Sequence, residues 1–116
     1  NLCSFPKPLA RLPIHIGGSS PAAARRAGLR GDGYFPGGAL TEAERAAQFD
    51  LMRETARAAG RDPAALECTR WGAIDMTADE VAAHAANGIT RLVVGPASTD
   101  LYEQKDQISA FAARLT

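Results

Sequence analysis

The residues whose order points most directly to chemistry are Ile14-His15-Ile16-Gly17-Gly18-Ser19-Ser20-Pro21-Ala22. A short β-type run delivers the chain to two glycines, and a helix-start signal follows at once. Glycine has no Cβ, so the backbone there can turn sharply and come close to a ligand. The first turn of a helix has unpaired N–H groups and a partial positive charge, which together suit an oxyanion such as phosphate. The hydroxyls of Ser19 and Ser20 can add donors. The same residues also serve as a plain strand-to-helix turn, which every α/β protein contains. On local chemistry alone, Gly17, Gly18, Ser19 and Ser20 stand as candidate anion ligands beside that simpler reading.

Several other side chains carry two readings each. His15 alternates with Ile14 and Ile16 and faces the opposite side of its strand. An imidazole beside a reacting ring would be a natural acid or base, but a hydrogen-bonded interior or interface histidine is the simpler expectation. His84 sits among helical alanines and reads as a surface residue. Trp71 reads as core packing ahead of a stacking surface. Arg25 and Arg26 can meet an acidic cofactor tail, with a solvated face the simpler assignment. Asp32-Gly33 reads as a turn, and Cys68 as a small buried hydrophobe. Cys3 and Cys68 lie far apart outside any CxxC pattern, so neither a disulfide framework nor a metal site is indicated. No catalytic residue is assigned.

The elements that must position these groups alternate regularly. Residues 1–12, with Pro6 and Pro8, read as an extended Pro-rich arm. Residues 13–16 form a strand ended by Gly17-Gly18, and Ser20 caps a helix with Pro21 in its first position. That helix runs to Arg30 and stops at Gly31; Asp32–Pro36 contains a brief strand. Thr41-Glu42-Ala43-Glu44 is a capping box opening a helix to about Ala59, with Ala47, Leu51, Thr55 and Ala58 predicted on one face. A strand spans Leu66–Ile74. Thr77-Ala78-Asp79-Glu80 repeats the capping box, opening a helix that bears Val81 and Ala85 and closes at Gly88. Ile89–Val94 is a strand rich in β-branched residues. A last helix from about Ser98 predicts a stripe of Leu101, Gln104, Ile108, Phe111 and Leu115. Four strand–helix units in series predict an α/β fold with parallel strands, as half of an eight-unit barrel or as a small open sheet.

Composition narrows the function classes. The 116 residues carry 13 basic and 13 acidic side chains and are 46% apolar, which supports one folded domain without a net field to attract nucleic acid. No apolar run approaches the ~20 residues that span a bilayer, and no signal-peptide pattern is present. The expected setting is the cytoplasm, with neither nucleic acid nor membrane as partner. The chain opens on Asn1, with methionine only at positions 52 and 76, so it reads either as a piece of a longer protein or as a natural short one.

The ordered set of motifs resembles the luciferase-like monooxygenase family, and within it the branch that uses the deazaflavin coenzyme F420. The residues that carry the likeness are Pro6-Lys7-Pro8, Pro13-Ile14-His15-Ile16-Gly17-Gly18, Ser20-Pro21 and Gly31-Asp32-Gly33-Tyr34-Phe35-Pro36. They are followed by Gly60-Arg61-Asp62-Pro63, a strand containing Glu67, and Asn87-Gly88-Ile89-Thr90-Arg91-Leu92-Val93-Val94. The resemblance implies a TIM (β/α)8 barrel of which residues 13–116 are the C-terminal half. It implies F420 as cofactor, with FMN the alternative, its phosphate on Gly17, Gly18, Ser19 and Ser20 and with His15 nearby. It also implies hydride transfer with a small-molecule substrate. The family's N-terminal strands, which supply much of the ring surface and substrate pocket, have no counterpart here, so the isolated chain is expected to be inactive.

Two other classes remain open at this point: a non-catalytic half-barrel that binds a phosphorylated ligand or partner chain, and a small open-sheet regulator. A half-barrel leaves two strand edges and one sheet face uncovered, which predicts either a homo-oligomer or poor solubility unless an N-terminal half covers them.

Overall fold

The computed structural model describes residues 5–116, so the first four residues of the expected arm lie outside it. Residues 5–14 form neither helix nor strand. The elements follow as His15–Gly17 (β1), Pro21–Arg30 (α1), Gly33–Phe35 (β2), Glu42–Ala58 (α2), Glu67–Gly72 (β3), Ala78–Ala86 (α3), Arg91–Val94 (β4) and Leu101–Leu115 (α4), with a single 3₁₀ turn at Pro63–Ala65. The strands form one sheet in the order β1-β2-β3-β4, and each neighbouring pair is parallel. This is an α/β fold of four consecutive strand–helix units, built as part of a TIM barrel is built.

The helices start where local chemistry dictates. The Ser20 side chain accepts the Ala23 N–H at 3.2 Å, with Pro21 in the first helical position. At α2 the Thr41 hydroxyl accepts from the Glu44 N–H at 3.2 Å while the Glu44 carboxylate accepts from the Thr41 N–H at 2.7 Å. Thr77 and Glu80 make the same reciprocal pair at α3. Helix α4, expected from about Ser98, begins at Leu101 with Asp100 as its cap. Arg61, beyond the end of α2, donates to the carbonyls of Gly28 and Gly31 at 2.5 and 2.6 Å. It thereby satisfies the C-terminal end of α1 and places a cation at the negative end of its dipole.

The core lies between the sheet and the crossing of α1 with α2, and is built from Ala23, Ala27, Tyr34, Phe49, Met52 and Cys68, among others. The helices meet at Gly28, where a Cβ would run into the Met52 carbonyl and stand 2.9 Å from Thr55 Cβ. Cys68 is buried, as expected.

Two helix faces differ from the periodicity reading. The buried side of α2 is Arg45, Gln48, Phe49, Met52 and Ala56, about one residue round from the predicted stripe. Phe49 and Met52 bury more apolar surface than the alanines of that stripe, and Arg45 and Gln48 turn inward because loop carbonyls await them. Helix α4 has no buried residue, and Leu101, Ile108 and Leu115 of its predicted stripe are all exposed. Trp71 also departs from expectation. It is 56% exposed, with its ring 5.4 Å from that of Phe35 between centroids, because its strand position turns it away from the α1–α2 core.

Candidate functional site

Parallel strands put every strand-to-helix loop at the same end of the sheet, the C-terminal end of the strands. The Gly17–Ser20 turn is the first of these loops. Gly18 has φ +123°, and a Cβ there would stand 2.9 Å from Ala23 Cβ, so both backbone conformation and space demand glycine. All four residues are exposed.

Two buried side chains hold the turn from below. The Tyr34 hydroxyl, from β2, lies 2.8 Å from the Gly18 carbonyl, and Gln48 Nε2, from α2, donates to the Ser19 carbonyl at 2.9 Å. Gln48 Oε1 lies 2.5 Å from the same Tyr34 hydroxyl, whose single proton is therefore shared between two acceptors. Burial pushes the Tyr34 phenol above its ordinary range, which keeps that proton in place at neutral pH.

The consequence follows from peptide geometry. The bonds after Gly18 and Ser19 are trans, so each carbonyl points opposite to the N–H that follows it. With both carbonyls drawn towards the core, the N–H groups of Ser19 and Ser20 face outward. Among the described residues no acceptor takes either of them. The Ser20 oxygen accepts from Ala23, which leaves its proton free to donate. The first turn of α1 has no acidic side chain, whereas α2, α3 and α4 each have one or two. The next loop packs against the turn, since a Cβ on Gly37 would fall on the Ser19 hydroxyl. The arrangement is a rigid pair of outward amides with serine hydroxyls beside them, at a helix N-terminus free of negative charge. Outward amides and hydroxyls in this arrangement are donors of the kind an oxyanion can accept from.

The structure does not bring His15 into this cradle. His15 faces the side of the sheet away from the α1–α2 core, with Nε2 3.3 Å from Glu67 Oε2, and Arg91 approaches the same oxygen at 3.6 Å. Gly33 lies between them because a Cβ there would stand 2.6 Å from His15 Nδ1. Arg25 and Arg26 are exposed on α1, as the simpler assignment had it. His84 is half-buried rather than a surface residue, since it lines a groove of 740 Å³ between α2 and α3 with Phe49, Arg70 and Met76. That groove is separate from the glycine turn.

The sequence model of the family described as luciferase-like monooxygenase matches residues 1–114. The chain belongs to the luciferase-like monooxygenase family. No curated protein sequence matches it. Luciferase-like proteins are flavin-type oxidoreductases that use flavin or F420 cofactors. In a (β/α)8 enzyme the site lies at the C-terminal ends of the strands, the end at which Gly17–Ser20 stands.

Sequence reasoning missed Tyr34 and Gln48 as supports of the turn. The Tyr34-Phe35 pair within Gly33–Phe35 reads as an ordinary strand, and Gln48 reads as a polar helix residue. It also missed Asp32, whose carboxylate accepts from the Ile14 N–H at 2.7 Å and from Arg11 at 2.8 Å, fastening β1 and the preceding arm to β2.

Proposed function

We propose that this luciferase-like chain binds the phosphate of F420, with FMN the alternative, on Gly17, Gly18, Ser19 and Ser20, as the C-terminal half of an oxidoreductase barrel acting on a small organic substrate. The observation that carries the reading is the outward pair of Ser19 and Ser20 amides, held by Tyr34 and Gln48 and without a protein acceptor among the described residues. These residues fit a phosphate: the donors are main-chain and hydroxyl groups, and glycine leaves room for close approach. When bound, the cofactor ring supplies the hydride chemistry. The chain's own part is to anchor the cofactor's tail and so fix the ring's place at the strand ends.

His15 belongs in this reading to the wall behind the turn, tied to Glu67, and not to the phosphate cradle. A cytoplasmic setting accompanies it, supported by the free buried thiol of Cys68; no described helix is long and apolar enough to cross a membrane. The alternative is a non-catalytic half-barrel that binds a phosphorylated ligand. It has one observation in its favour: the Ser19 and Ser20 amides and the side chains that hold their peptides, Tyr34 and Gln48, all belong to this chain.

Equilibrium titration with oxidised and reduced F420, with FMN, and with a ring-free phosphate ester separates the readings. Saturable binding of F420 or FMN well above that of the ester supports the oxidoreductase. Equal binding of all three favours the alternative. Binding of none ends both.

A further inference from the structure

Helices α1 and α2 close on each other at Gly28, but a groove of 740 Å³ runs between α2 and α3. In a parallel barrel consecutive helices stand side by side in the outer ring, so no element of another half comes between these two. The groove is faced at helical spacing by Arg45, Ala46 and Phe49 on α2 and by Ala83, His84 and Asn87 on α3. Alanine on both walls leaves the space open. Phe49 and Met76, both buried, give it an apolar lining, and a Cβ on Gly72 would fall on the Met76 side chain.

One charged side chain in the wall is incompletely satisfied. Arg45 is 7% exposed, and its terminal nitrogens donate to the Gly37 and Leu40 carbonyls, each at 3.2 Å. Its Nε is buried with no partner, and no carboxylate among the described residues bonds the guanidinium. A buried donor of this kind calls for an acceptor. His84 lines the same groove, and no described group bonds its ring. The acids of the groove are already committed. Arg70 holds both Glu42 oxygens at 2.8 Å, and Glu80 accepts from the Thr77 N–H. The bonds from Arg70 keep the Glu42 carboxyl below its ordinary range, and Arg45 and His84 add to that, so three basic side chains bear on one carboxylate. We propose that this groove binds a small monocarboxylic acid with an apolar body, its carboxylate on Arg45 Nε and the His84 ring and its body against Phe49 and Met76. Two open donors match the two oxygens of a carboxylate. A phosphate carries more charge than two donors answer, and Glu42 and Glu80 repel it more strongly. The site is distinct from the glycine turn and independent of the cofactor reading.

Titration of the 15N-labelled chain with octanoate, octanol and inorganic phosphate tests it. The Arg45 Nε–H resonance reports on the groove, and the Ser19 and Ser20 amides report on the glycine turn. Octanoate is expected to bind saturably and to move the Arg45 Nε–H. Octanol is expected to bind about tenfold or more weakly, and phosphate to leave that resonance unmoved. Ala83→Leu fills the groove without removing a hydrogen-bonding group. It is expected to weaken octanoate about tenfold or more with helical circular dichroism unchanged. His84→Phe keeps a ring but removes its N–H, and is expected to weaken octanoate about fivefold while leaving octanol unaffected. No saturable octanoate binding, octanol binding as tightly, or octanoate binding that both variants leave unchanged would each overturn the proposal. So would octanoate shifts confined to Ser19 and Ser20, or phosphate moving the Arg45 Nε–H as octanoate does.

Discussion

Tyr34 is wholly buried, yet its hydroxyl serves a carbonyl at the surface, and Gln48 does the same one residue further along the turn. Because each bond fixes a peptide plane, removing either lets one outward amide rotate. Tyr34→Phe and Gln48→Met are each expected to weaken phosphate binding about fivefold, the worth of one ordinary hydrogen bond, with the double variant less than additive. Titration of the folded variants with FMN checks this, and unchanged affinity in both would contradict it. None of this was legible beforehand. The glycines and serines announce a turn, but the direction of its amides depends on partners from β2 and α2 that no local pattern reveals. Asp32 offers a second residue-level prediction. Its hydrogen bond from Arg11, and then that from the Ile14 N–H, holds its carboxyl below the ordinary value. A depressed carboxyl contributes its anchor above the ordinary carboxylate range and loses it as the pH falls through the lowered value. The Ile14 amide resonance is therefore expected to titrate with a midpoint below 3.8, and Asp32→Asn to abolish that titration.

At the scale of elements, the helix starts were legible because their signals are local. Ser20-Pro21, Thr41 with Glu44, and Thr77 with Glu80 satisfy backbone donors within one turn, so nothing distant can override them. Thr41→Ala is expected to cost about 1 kcal/mol in urea denaturation. The faces were less legible. The alanine-rich α2 has apolar residues on nearly every side, and its inward face was decided by where Phe49 and Met52 find partners and where loop carbonyls need Arg45 and Gln48. Gly28 shows how tertiary contact reverses a propensity rule. Alanine there gains about 1 kcal/mol of helix propensity but meets the backbone of α2, and overpacking of this kind costs about 1–3 kcal/mol. Gly28→Ala is expected to be net destabilising in the same assay.

For the molecule as a whole, the order of four strand–helix units was readable from caps, glycine stops and β-branched runs, and so was the class of fold. The register was not, because it relates residues far apart in the chain: nothing near His15 announces that Glu67 and Arg91 will share its surroundings. Gly33 ties the scales together. It looks like half of an Asp-Gly turn, yet it is glycine because His15 and Glu67 meet across it. Gly33→Ala is expected to separate that pair and lower the thermal midpoint by several degrees (about 4–8 °C per kcal/mol in a domain of this size) while leaving the glycine turn intact.

Anchoring of a cofactor tail by this chain requires the main-chain amides after Gly18 to receive a phosphate. The most direct measurement follows the backbone amide resonances of the 15N-labelled chain during titration with F420 and FMN. The predicted result is saturable movement of the Ser19 and Ser20 amides, reproduced in part by inorganic phosphate alone. Saturable cofactor binding that leaves those two amides unmoved would contradict it.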